Sequence, residues 1–147
     1  MLGLIQRVSS ASVVIDYETV GEIDQGILLL LGVQKHDAMG SADKLLRKVL
    51  NYRMFSDPEG KMNLSLIDIN GGLLIVSQFT LAADTKKGLR PSFSSAAPPE
   101  QAENLYNHFV NQATEQHLKV QNGRFGADMQ VSLVNDGPVT FWLEVTP

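Results

Sequence analysis

The 147-residue chain has no cysteine, which excludes a disulfide framework and a thiol nucleophile and makes a reducing cytoplasm the expected compartment. Metal ligands are equally scarce. His36, His108 and His117 lack metal-ligand spacing and have no companion carboxylate cluster, so no metal is expected. There is no G-x-S-x-G, no G-x-x-x-x-G-K-[ST] and no H-E-x-x-H, and no cofactor is expected. The longest apolar run, Ile27 to Leu31, is too short to cross a bilayer, so a membrane is not an expected partner. The opening MLGLIQRVSS lacks the basic-then-apolar order of a signal peptide. Basic charge is also in deficit: 12 Lys and Arg against 16 Asp and Glu leave a net charge of −4. That balance argues against broad charge-driven binding to nucleic acid, and DNA is not an expected partner. An RNA partner would have to be met by a local patch.

What is present reads as one globular domain spanning residues 1–147, with 44% hydrophobic and 19% charged residues. Residues 2–8, 11–15 and 18–23 read as strands, with Asp16-Tyr17 as the turn before the third. The run 26–33, GILLLLGV, is apolar on both faces and predicts a doubly covered central strand. A helix is expected over 41–52, with Ser41 as N-cap and Ala42, Leu45, Leu46, Val49 and Leu50 as its apolar stripe. LLIVSQF at 73–79 is another buried strand, and 82–97 is a long Gly/Pro/Ser-rich loop. Pro98-Pro99 open a second helix, on which Ala102, Leu105, Tyr106, Phe109 and Ala113 share a face. Two strands flank Gly137-Pro138. The expected fold is α+β: curved antiparallel or mixed sheet, barrel- or sandwich-like, with two main helices packed on one side.

With so few acid–base side chains, an enzyme of this sequence must lean on backbone amides, hydroxyls or groups of its substrate. Two stretches stand out. Ser77-Gln78-Phe79-Thr80 lie where a buried strand opens into the long loop. At such a strand end N–H groups run out of ladder partners and are free to hold a developing oxyanion. Pattern alone favours the plainer reading, in which Ser77 and Thr80 are hydroxyls that satisfy a turn. The second stretch is Asn135-Asp136-Gly137-Pro138-Val139-Thr140. Pro138 cannot donate to a ladder and belongs at the first residue of a strand, so locally the stretch is a turn.

Together, SQFTLAADTKKGLRPSF at 77–93 and VNDGPVTFWLEV at 134–145 resemble the two signature regions of the D-aminoacyl-tRNA deacylases. IQRVSSASV at 5–13, FSDPEGKMN at 55–63 and GRFGADMQV at 123–131 resemble further parts of that family, so the likeness runs the length of the chain. The resemblance implies a cytoplasmic homodimer that hydrolyses the ester joining a D-amino acid, or mischarged glycine, to the 3′-terminal adenosine of tRNA. It implies a cis Gly137–Pro138 bond that reaches into the partner's site, where Ser77, Gln78, Phe79 and Thr80 lie. It matches Phe125 and Met129 to positions that hold the terminal adenine, and Arg7 to one that orients the cross-subunit motif.

D- and L-amino acids carry identical groups, so the site must make the L-isomer clash rather than attract the D-isomer's side chain. Rigid backbone carbonyls suit that task because they ignore which side chain arrives. The family resemblance implies assistance from the ribose 2′-hydroxyl and no obligatory side-chain base. Thr80 as a covalent nucleophile is the alternative, although no activating base accompanies it in the sequence. Lys86, Lys87 and Arg90 in the loop, with Lys44, Arg47 and Lys48 on the first helix, are candidates for acceptor-stem phosphates, and the helix trio is equally a solvated face. Two readings from other classes stand beside the enzyme: a non-enzymatic RNA- or DNA-associated protein, and a hydrolase of free D-amino acid esters.

Overall fold

The computed structural model describes residues Met1–Pro147. Strand β1 (Leu2–Ile15) is one continuous strand, not the two expected, and β2 (Glu18–Ile23) returns beside it. The turn between them has Asp16 and Tyr17 both left-handed, at φ 49° and 67°. Two such residues give a hairpin whose twist matches its strands. β3 (Gly26–Gly32) then pairs with the first half of β1, antiparallel. Next come α1 (Met39–Asn51), a small hairpin of β4 (Phe55–Ser56) and β5 (Met62–Leu64), and the short α2 (Leu66–Ile69). β6 (Gly72–Ser77) pairs parallel to β3 and leads into a 3-10 turn, Phe79–Ala82. α3 (Pro99–Gln116), β7 (Val120–Asn122) and β8 (Gln130–Glu144) complete the chain.

The main sheet runs β2-β1-β3-β6-β7, with β8 on the other flank of β1. It curls until β2 approaches β7: a Cβ on Gly21 would lie 3.1 Å from the Asn122 carbonyl oxygen. The alternation along β3 serves two cores, as its unbroken apolar run predicts. Ile27, Leu29 and Leu31 join α1 and α3 in the larger core, while Leu28 enters the smaller one within the curl, with Val13, Leu74 and Val76. The fold is therefore α+β with a curved, nearly closed mixed sheet and its two long helices on one side. Gly26 faces Gly72 across the parallel pair, and a Cβ there would lie 1.9 Å from the Gly72 carbonyl oxygen, so only glycine fits.

The apolar stripes of both long helices are buried as expected. α1 begins earlier than Ser41, which lies inside its first turn and caps from there: Ser41 Oγ accepts the Ala38 N–H at 3.1 Å. The largest departure is at the C-terminus. β8 is a single strand that passes through Gly137-Pro138 instead of ending and restarting there. Gln6 pairs with Thr140 and Val8 with Asn135, so residues 136–139 all stand opposite Arg7 and leave the ladder as a loop-out. A proline with no N–H is tolerated because the strand bulges at that point.

Candidate active site

β6 delivers Ser77 to the edge of the larger core, and the Gln78 N–H donates to the Leu31 carbonyl at 2.8 Å as the last strand-like bond. The backbone then tightens into the 3-10 turn. The N–H groups of Phe79 and Thr80 open that turn and have no acceptor within it. Gln78 Nε2 donates to Thr80 Oγ1, which orients both side chains. No carboxylate or imidazole hydrogen-bonds to Ser77 or Thr80, so neither hydroxyl has an activating base. The exposed Phe79 ring packs on Phe93, centroids 5.2 Å apart. The long loop is less irregular than its composition predicts. Asp84 and Ser92 exchange backbone bonds of 2.7 and 3.0 Å and hold Lys86, Lys87 and Arg90 on the exposed tip between them.

The loop-out on β8 is anchored from both sides. Arg7 Nε donates to the Asp136 carbonyl at 2.8 Å, and its Nη1 donates to the Met54 carbonyl at 2.9 Å. Asn135 closes the loop from inside. Its Oδ1 accepts the Val139 N–H at 2.8 Å, and its Nδ2 donates to the Val139 carbonyl at 3.2 Å and to Thr140 Oγ1 at 3.1 Å. Between these anchors the Gly137–Pro138 peptide is cis, and both residues are exposed. A Cβ on Gly137 would lie 2.3 Å from the Val139 nitrogen, so the loop has no room for a side chain there. Arg7 thus meets the Gly-Pro segment directly. Within the chain no hydrogen bond joins residues 135–139 to residues 77–80.

Phe125 and Met129 lie in the segment after β7, both half-buried. That segment is tied to β6, the strand that carries Ser77: the Gly123 N–H donates to the Ile75 carbonyl at 3.0 Å. Tyr106, legible in the sequence only as a core residue of α3, makes the second tie. Its hydroxyl donates to the Ile75 carbonyl at 3.2 Å, with the Gly123 carbonyl at 3.4 Å, and its ring supports Phe125 at a centroid distance of 5.9 Å. Burial pushes the Tyr106 pKa up to about 12, so it remains a neutral donor. The Asn135 clamp was also missed. An amide two residues before a glycine is its signal, because such side chains bond nearby backbone in turns.

A family model described as D-Tyr-tRNA(Tyr) deacylase matches residues 4–144. The D-aminoacyl-tRNA deacylase of Cellvibrio japonicus (strain Ueda107) is 67% identical over 145 residues, covering 99% of each chain. That of Pseudomonas fluorescens (strain Pf0-1) is 63% identical over 144 residues, covering 98% of this chain and 99% of its own. Among solved structures, the c-Myc DNA Unwinding Element Binding Protein superposes with a TM-score of 0.95 at 41% identity, over 100% of both chains. A probable eukaryotic D-amino acid tRNA deacylase shares the fold, with a TM-score of 0.83 at 16% identity over 98% of both. The fold and these matches define a hydrolase of carboxylic esters whose substrate is an aminoacyl-tRNA. The chain belongs to the D-aminoacyl-tRNA deacylase family.

Proposed function

We propose that the protein is a homodimer that removes D-amino acids, and glycine, from tRNA, with the Gly137-Pro138 loop of each subunit serving as the chirality gate of the other. The observation that carries this reading is the loop-out itself: a backbone segment pinned by Arg7 and Asn135, with Gly137 and Pro138 turned to solvent and bonded to nothing in its own 77–80 segment. β8 also bonds to β1 alone, so its outer edge is open, and it exposes Val131, Leu133, Val134 and Trp142. An open edge strand with apolar side chains favours association with a second copy.

In the reaction, water adds to the ester carbonyl and the 3′-oxygen of the terminal ribose leaves as an alcohol, taking up a proton. The products are the free amino acid and tRNA. The unpartnered N–H groups of Phe79 and Thr80 receive the oxyanion, a role that needs fixed donors and no side-chain base. The ribose 2′-hydroxyl handles the proton, and Phe125 and Met129 cradle the adenine. The gate carbonyls crowd the α-carbon on the face where an L-side chain would project, which rejects that isomer whatever its identity. Lys86, Lys87 and Arg90 lie on the exposed loop that follows the donors, which supports a role for them at the phosphates near the 3′ end.

Matched D- and L-aminoacyl-tRNAs and a simple D-amino acid ester, each followed for ester loss, test this reading. Loss of the D-aminoacyl-tRNA ester alone is expected, and equal loss of the L-form would remove the gate. Gly137→Ala, which displaces the loop, should narrow the preference for D over L. A second reading has one observation in its favour: the structure at 41% identity is named for binding a DNA unwinding element. An accessory protein of that kind would bind nucleic acid and leave every ester intact.

A further inference from the structure

The net negative charge of the chain conceals a second basic site, apart from the loop tip that carries Lys86, Lys87 and Arg90. Lys44, Arg47 and Lys48 on the exposed face of α1, with Arg53 just beyond its end, line an open groove of about 630 Å³. Its floor is the Tyr52–Phe141 ring pair, centroids 5.2 Å apart, and no carboxylate lines it. Four of the chain's 12 Lys and Arg are gathered here. The nearest carboxylate on α1, Asp43, is turned to His108 Nε2 at 2.8 Å. Asp68 does act on Arg53, so that cation is partly offset, and the three on α1 dominate the site.

Arg53 is held in place before any ligand arrives. Its Nε donates to the Asn63 carbonyl at 3.0 Å and its Nη2 to Asn63 Oδ1 at 2.9 Å. Asn63 Nδ2 in turn donates to Asp57 at 2.8 Å. That bond, with the Lys61 and Glu59 N–H groups, holds the Asp57 carboxyl below its usual range. On α1, Lys44 stands about one turn, roughly 5.4 Å along the axis, from Arg47 and Lys48, and Arg53 lies beyond the helix end. Charges spaced in that way fit a polyanion that repeats along a strand better than they fit one small anion.

The groove adjoins the gate. Phe141 in its floor follows Thr140, where β8 rejoins the ladder after the loop-out. Arg7, which grips Asp136, donates with its other arm to Met54, the neighbour of Arg53. We propose that this groove holds the phosphodiester backbone of the acceptor stem whose 3′ end lies in the partner subunit's site. Each protomer then supplies both the gate and an RNA grip to the ester bound by the other. The inference rests on the cross-subunit gate proposed above, and it adds where the RNA lies.

Binding of an uncharged acceptor-stem minihelix tests the occupant without requiring any hydrolysis. Lys44→Glu/Arg47→Glu/Lys48→Glu should weaken binding by about tenfold or more and lower the slope of log affinity against log salt by about two to three. Lys44→Arg/Arg47→Lys/Lys48→Arg should bind as the unaltered protein does. The replaced side chains are exposed, so thermal melting should not change. Unchanged affinity in the triple Glu variant, or equal loss with the charge-preserving variant, overturns the groove. An unaltered protein that binds the minihelix but cleaves no D-aminoacyl-tRNA would sink the enzyme reading and leave this result standing.

Purified heterodimers test the arrangement. A Phe79→Pro subunit, which lacks one of the two oxyanion N–H groups, joined to a triple-Glu subunit should deacylate, because the intact site is served by the intact groove across the interface. Placing both sets of changes in one subunit, beside an unaltered one, should impair the single remaining site. The opposite pattern assigns the groove to its own subunit and overturns the proposal.

Discussion

Asn135 holds Val139 at both backbone groups, accepting its N–H at 2.8 Å and donating to its carbonyl at 3.2 Å. The strand on either side of the loop-out is thereby closed by one side chain, as a ladder pair would close it. Asn135→Ala leaves the Val139 N–H without its acceptor, in a residue that is itself buried. A loss of about 1–3 kcal/mol in stability is expected. Selectivity should fall further than stability, because the freed segment is the proposed gate. Urea unfolding and the ratio of D- to L-aminoacyl-tRNA deacylation measure the two effects, and an unchanged ratio would show that the clamp is structural only.

Arg7 joins two segments far apart in sequence through the carbonyls of Asp136 and Met54. Charge-assisted bonds of this kind are worth about 1.5–3 kcal/mol each. Arg7→Ala should therefore cut deacylation of D-aminoacyl-tRNA by about tenfold or more, since 1.4 kcal/mol corresponds to a factor of ten. Arg7→Lys keeps the charge but lacks the planar fork that spans both carbonyls, and it should fall between the two. Single-turnover rates under saturating enzyme separate this from a change in RNA binding.

Thr80 has one side-chain partner, the amide of Gln78. Without a base to take its proton, it is not built as a nucleophile. Thr80→Ala should retain much of the activity and yield no covalent aminoacyl-enzyme on acid quench. Complete loss, or a trapped ester on the unaltered protein, would restore Thr80 as the attacking group.

Tyr106 sets an alkaline limit on stability. Its folded-state pKa is pushed up to about 12 from an ordinary 10.0 by burial, so the folded protein keeps a proton that the unfolded chain gives up. Stability from this group is full below pH 10 and is lost as pH rises towards 12, because the unfolded state binds fewer protons there. Tyr106→Phe should flatten that decline while costing about 1 kcal/mol at neutral pH for the lost hydroxyl bonds. Chemical denaturation at intervals across pH 9–12 provides the comparison.

Short-range pattern was enough to locate most of the framework. The unbroken apolar run of β3 implied burial on both faces, and the 3.6-residue spacing on α1 and α3 named the helix faces that are buried. Periodicity reports burial, and burial was what those elements had to achieve. The single span of β1 was not legible, because Ser9 and Ser10 interrupt its apolar pattern while the pairing with β8 continues beyond them.

Local sequence could place Gly137-Pro138 beside strands, and family likeness could give it a task, but neither revealed its support. Arg7 and Met54 are 129 and 82 residues from Asp136, and only the folding of β1 against β8 brings all three together. The same holds for the basic groove, whose lining joins α1 to a ring from the last strand. The sequence by itself determined which segments would be buried, through the spacing of apolar side chains along the chain. Tertiary structure alone decided which polar groups would meet, because hydrogen bonds and charge act over a few ångströms between residues that the sequence keeps far apart.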